Sequence, residues 1–221
     1  FYRERGNIPM WASWNWLGVA CWTLAVIILI FAVHNIRKRR LKMLVTQRRH
    51  FSAANFGLDL LLIVIVAASF GTMIYATFLH TDTIADSSAI QLDYRYRPLV
   101  MQTRGDQGYL VRVHNGSGHT PIQTYTYWTE GSKYQINSRD ATISTGKKIV
   151  PAEAAAYPWP TKSMERMENN TRSSFVAVIK ATYKNTPFNG LGMHAGRAAS
   201  YHEIIRIPSD LFVYIDNPAT K

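Results

Sequence analysis

Five histidines stand in the later part of the chain, His80, His114, His119, His194 and His202, and they are the first residues to ask for chemistry. Imidazole binds metals and moves protons near neutral pH. A metal site on one element needs HxH, HxxxH or HExxH spacing, and no two of these histidines have it. Cys21, the single cysteine, lies in an apolar run far from them. A serine nucleophile would be announced by a GxSxG elbow, which is absent; "NGSGH" at Asn115–His119 reads as a hairpin turn. "GLGMHAG" at Gly190–Gly196 has three glycines, but not at dinucleotide-binding spacing, and no strand–helix–strand unit surrounds it. The sequence therefore assigns no catalytic, cofactor-binding or metal residue, and no cofactor is expected.

Two other groups carry side chains suited to recognition. Tyr125, Tyr127 and Trp128 open an aromatic-rich stretch that continues through Tyr134, Tyr157 and Trp159. Strand alternation puts Tyr125 and Tyr127 on one face and Trp128 on the other, so exposed rings for stacking or docking are one expectation and core packing the other. Asn185–Ser200, "NTPFNGLGMHAGRAAS", reads as a long loop, and long structureless loops in compact domains are uncommon unless functional. Phe188, Met193, His194 and Arg197 equip it for binding. These seven residues, Tyr125, Tyr127, Trp128, Phe188, Met193, His194 and Arg197, are the candidate partner-binding set.

The elements that would position them begin with two charge-free runs, Trp16–Val33 of 18 residues and Leu60–Leu79 of 20. About 20 apolar residues cross a bilayer as a helix. Buried helices of a soluble core are the alternative. A cleaved signal peptide does not suit the first run, which is followed by positive charge rather than a small-residue cleavage site. Between the runs lie Arg37, Lys38, Arg39, Arg40, Lys42, Arg48 and Arg49 with no acid. Basic residues beside helix ends stay cytoplasmic, so both termini are expected outside. Leu41, Leu44 and Val45 share a helical face, so the loop is either an amphipathic helix on anionic inner-leaflet lipid or a topology signal alone. Asp59, at the cytoplasmic mouth of the second span, is expected to reach water or pair with Arg48 or Arg49. Gly18, Cys21 and Ala25, and Ala68, Thr72 and Ala76, form small-residue rows for close helix packing.

From about residue 89 the pattern changes to period two. "IQLDYRYR" alternates Ile90, Leu92, Tyr94 and Tyr96 against Gln91, Asp93, Arg95 and Arg97, and Pro98 ends the strand. Further strands are predicted at Tyr109–His114, Ile122–Thr129, Phe175–Lys184, His202–Ile207 and Leu211–Ile215, with weaker ones at Tyr134–Asn137 and Ala141–Ser144. One helix is predicted from Lys162 to about Asn169. The expected fold class is a two-helix transmembrane hairpin carrying a mainly β, sandwich-like domain with one short helix. The divisions are a tail at 1–13, helices at 14–36 and 56–79 around a basic loop at 37–55, a spacer at 80–88, the β-rich domain at 89–216 and a tail at 217–221. Met10 is a candidate start, with residues 1–9 an extension.

The formal net charge of +11 does not imply nucleic-acid binding, because the basic loop alone contributes +7. A cysteine-free outer domain has no disulfide framework, which suits a bacterial envelope, and the sequons at Asn115 and Asn169 then carry no meaning. The stretches "WNWLGVACW", "IRKRRLKM", "YRPLVMQT", "TYTYWTEG", "YPWP" and "NGLG" resemble an uncharacterised family of small two-span membrane proteins of lactobacilli, over Met10 to about Ile215. The resemblance implies a Gram-positive host and a domain facing the wall, and supplies no catalytic residue. The expected protein is a multi-pass cell-membrane protein displaying a β-rich binding or accessory module, with membrane lipids and an envelope protein or wall glycopolymer as partners. The competing expectation is a small envelope hydrolase or transferase, which requires the outer histidines to converge with Asp or Ser in one cleft.

Overall fold

Leu and Ala favour helix and no proline interrupts the first apolar run, whose helix continues far beyond the run itself. In the computed structural model, which describes residues 13–43, 45, 53–80, 84, 88–116, 122–171 and 174–216, helix α1 spans Asn15–Lys42. The helix runs past residue 36, where the first span is expected to end: Arg37, Lys38, Arg39, Arg40 and Lys42 continue it. Arg and Lys are good helix formers, and cations at a helix C-terminus favour its dipole. Arg48, Arg49 and Leu44 lie outside the described residues. Helix α2 spans Ala53–Ile74 and is prolonged by a wider turn, Tyr75–Leu79. Both helices are long and apolar enough to cross a membrane.

The chain divides into two compact units, one made of residues 1–83 with 183–197 and the other of 84–182 with 198–221. In the first unit α1 packs on α2. The inward positions of α1 run Gly18, Cys21, Ala25, Ile28, Ala32, Asn35 and Arg39, three or four residues apart. Those of α2 are Asp59, Leu62, Val66, Ser69 and Met73. The α1 row expected from the sequence is thus found, whereas Ala68 and Thr72 of the α2 row are exposed. Gly18, the first of the α1 row, is met by Met193, Gly190 and Leu191 rather than by α2. Asp59 meets Arg39 at 3.7 Å, in place of the expected Arg48 or Arg49. The remaining faces stay apolar and uncovered: Leu24, Ile27, Ile30 and Phe31 of α1 and Leu61, Ile63 and Val64 of α2 are more than half exposed.

Among the described residues the second unit holds two four-stranded sheets and a small hairpin. Strands β1 (Ile90–Pro98), β8 (Phe175–Tyr183), β9 (Ala198–Arg206) and β7 (Ala141–Ser144) lie side by side in that order. The second sheet is ordered β10 (Val213–Asp216), β4 (Val111–Asn115), β5 (Gln123–Thr129) and β6 (Ser132–Asn137). All the predicted strands are present, Ala141–Ser144 with the expected ends and the others with shifted ends. The hairpin β2 (Gln102–Arg104) and β3 (Gln107–Tyr109) is additional, turning at Gly105, whose φ of 61° suits glycine. Among the described pairings, β7 with β9 and β10 with β4 are parallel.

Val111, Val113, Tyr125 and Tyr127 of one sheet share a core with Val176, Val178 and Ile205 of the other. On the opposite face of β8 and β9, Phe175, Ala177, Ile179 and Ile204 pack with Ala154, Trp159 and Met164. Met164 belongs to helix α3, Thr161–Asn170. A strand covered on both faces needs no alternation, which explains the unbroken apolar "FVAVI" of β8.

Candidate functional site

Asn185–Ser200 is not structureless. Thr186 caps a short helix α4, Pro187–Leu191, by accepting the Asn189 N–H, and Pro187 occupies the first position, where its missing N–H costs nothing. Up to Arg197 the stretch belongs to the helical unit, and Ala198–Ser200 open β9 in the other. The Trp14 N–H donates to Asn185 Oδ1 at 2.9 Å, and Asn15 Nδ2 donates to the Ala195 carbonyl at 2.9 Å. Gly18 of α1 lies against Met193 and the carbonyls of Gly190 and Leu191, while Gly192 lies against the Ala76 carbonyl after α2. The segment therefore clasps the helix ends remote from the basic run.

The candidate residues of this loop have different surroundings. Phe188 is 78% exposed, with an edge contact to the His80 ring at 6.4 Å. Met193 takes left-handed backbone, φ 60°, uncommon for a residue with a side chain, and its Cγ faces Gly18. His194 stacks on Tyr183 at 5.2 Å, and its buried Nε2 has no hydrogen-bond partner among the described residues. Arg197 is exposed at the end of the segment.

Tyr125, Tyr127 and Trp128 belong to the other unit. Tyr125 and Tyr127 are core residues, 8% and 1% exposed, so of the three only Trp128 offers part of its ring to the surface. Trp128 packs edge-on to Tyr109, with Lys133 Nζ 5.8 Å from its ring centroid. The reason is that both sheets contribute to one core, and the Tyr125/Tyr127 face of β5 is the face turned to it.

The histidines do not gather among the described residues, and no group of three or more His, Cys, Asp or Glu there suits a metal. His114 lies 3.7 Å from Asp216. His202 stacks on Tyr157 at 4.7 Å with Nε2 3.0 Å from Thr142 Oγ1. Burial holds its pKa below the usual histidine value. His119 lies outside the described residues.

Two buried charged groups escaped the sequence reading. Glu203, only 3% exposed, accepts the Tyr127 hydroxyl at 2.7 Å and the Tyr201 hydroxyl on its other oxygen. Burial pushes its carboxyl above the usual range, and the two phenols and Arg97 pull it partly back. Burial, then the nearby Glu203 charge, raises the Tyr127 phenol. Arg206, 6% exposed, donates from Nη2 to Glu168 Oε1 at 2.7 Å and from Nη1 to Ser144 Oγ at 3.2 Å and to the Gly146 carbonyl. "HEIIRI" carried the signal: two charges inside an otherwise apolar strand demand partners. Next to the Arg206 cluster is an open cavity of about 400 Å³ along Ile143–Lys148 and Pro151.

A model of an uncharacterised protein family, named after a Lactobacillus locus, matches residues 13–214. No curated protein and no solved structure matches the chain.

Proposed function

The chain belongs to this uncharacterised family, and we propose that it is a two-span membrane protein displaying a sandwich-like binding or accessory module on the outer face of a Gram-positive cell membrane. Its partner is an envelope protein or a wall polymer, and it is not an enzyme. The observation that carries this reading is the pair of packed apolar helices whose outward faces keep Leu, Ile, Val and Phe uncovered. Such faces suit lipid and not water. The basic cluster at one end sets the orientation: the loop side is cytoplasmic and both termini are extracytoplasmic. The dispersal of the described histidines favours binding over catalysis.

Single-cysteine labelling in intact cells tests the orientation, with Cys21 replaced by Ala. A cysteine at Glu130 should react with a membrane-impermeant maleimide, and one at Thr46 should react only after permeabilisation. The reverse pattern overturns the assignment. Cross-linking from the outer surface followed by co-purification would identify the partner class.

A further inference from the structure

We propose that the Ser144–Pro151 cavity is an anion site for the phosphate of a phosphodiester compound, either a soluble polymer or a lipid headgroup. This deepens the binding role above by naming a ligand chemistry. The loop that forms the cavity is held from beneath. Arg206 draws in the carbonyls of Ser144 and Gly146, and the Ser144 hydroxyl donates to the carbonyls of Lys148 and Ile149 at 3.1 and 3.2 Å. There is no cis peptide among the described residues. In a trans peptide the N–H lies opposite the C=O, so the N–H groups that follow the two Arg206-bound carbonyls, those of Thr145 and Lys147, face away from the guanidinium. The N–H groups of Gly146, Lys147 and Lys148 make no backbone hydrogen bond among the described residues. Backbone N–H groups left open in a loop are available to an anion.

The charges agree with this. Lys147 and Lys148 line the cavity, are exposed, and form no ion pair among the described residues. Glu168, the acid at the base of the loop, is already bound by Arg206 and so does not neutralise them. A cavity of about 400 Å³ accommodates a phosphate with its flanking glycerol or sugar. With the Ser144 and Gly146 carbonyls bound from beneath, the Lys147 N–H and the two lysine ammonium groups are the donors left for an anion. The arrangement is also preformed, so little ordering is required on binding.

The test uses the full chain in phosphatidylcholine nanodiscs, titrated at low ionic strength with a glycerol phosphate oligomer and separately with dihexanoyl phosphatidylglycerol below its micelle concentration. Saturable binding is expected for at least one. The Lys147→Ala/Lys148→Ala double variant should weaken it at least tenfold without changing the melting temperature, while Lys133→Ala/Lys184→Ala should leave it unchanged. Binding of the oligomer alone identifies a soluble polymer, and binding of the lipid alone identifies a headgroup. No saturable binding of either, or binding indifferent to the double variant, overturns the proposal. Neither result disturbs the membrane orientation, which the labelling experiment reads independently.

Discussion

Gly190 lies so close to Trp14 that a Cβ added to it would stand 2.2 Å from the Trp14 carbonyl oxygen. The obstacle is backbone, which cannot rotate aside as a side-chain end can. Gly190→Ala should therefore lift α4 from α1 and destabilise the helical unit by about 1–3 kcal/mol, the usual range for overpacking. Thermal melting of the full chain in detergent measures it. Gly57→Ala, where nothing lies within 4 Å, is the matched control and should leave stability unchanged or slightly raised. Equal melting for the two variants would mean that α4 does not rest on α1 in solution.

A fragment of residues 87–216 retains the second unit but removes the helices on which 183–197 rests. Its β-sheets should fold, with slow amide exchange in β5, β8 and β9, while Asn189 and Gly190 lose the protection that they have in the full chain. Hydrogen exchange followed by mass spectrometry reads both. Protection of 185–197 in the fragment would show that the loop is ordered by its own bonds.

The Glu203 carboxyl has a folded-state pKa raised by burial. Its contribution to stability is therefore fully present below the unfolded pKa of about 4.3 and is lost as pH rises through the folded value. Glu203→Gln keeps an acceptor for Tyr127 but carries no charge. It should melt with a flatter pH profile and gain on the parent protein as pH rises above the unfolded value. A variant that instead falls behind as pH rises would show that the phenols and Arg97 outweigh burial.

His202 has the opposite shift in a base. Its folded pKa is lowered by burial, so its contribution is present above the unfolded value of about 6.5 and is lost as pH falls toward and through the folded value. His202→Gln should remove this acid-side loss, visible as a smaller drop in melting temperature from pH 7 to pH 5. An unchanged drop would assign the acid sensitivity to other groups.

Arg206 is nearly enclosed, and Glu168 is its carboxylate partner. Glu168→Ala leaves the guanidinium with Ser144 and Gly146 but without a countercharge, and should cost about 2–4 kcal/mol. Glu168→Gln, which keeps an acceptor, should cost less. Chemical denaturation of the full chain separates them, and equal losses would mean that packing rather than charge is at stake.

Local pattern determined a great deal of this protein. The apolar runs, the basic cluster between them, the alternation of "IQLDYRYR" and the turn residues place the helices and nearly every strand, because period and breaker residues report which side of an element is apolar. They do not report which neighbour covers that side. Tyr125 and Tyr127 became core only because β5 faces the β8–β9 sheet, and Glu203 and Arg206 found partners 76 and 38 residues away in sequence. The 183–197 segment is the clearest case: Trp14 and Asn185, 171 residues apart, are joined by a hydrogen bond. Contacts of that range arise from complementary shape, here glycines that let two backbones meet, and shape exists only once the chain has folded.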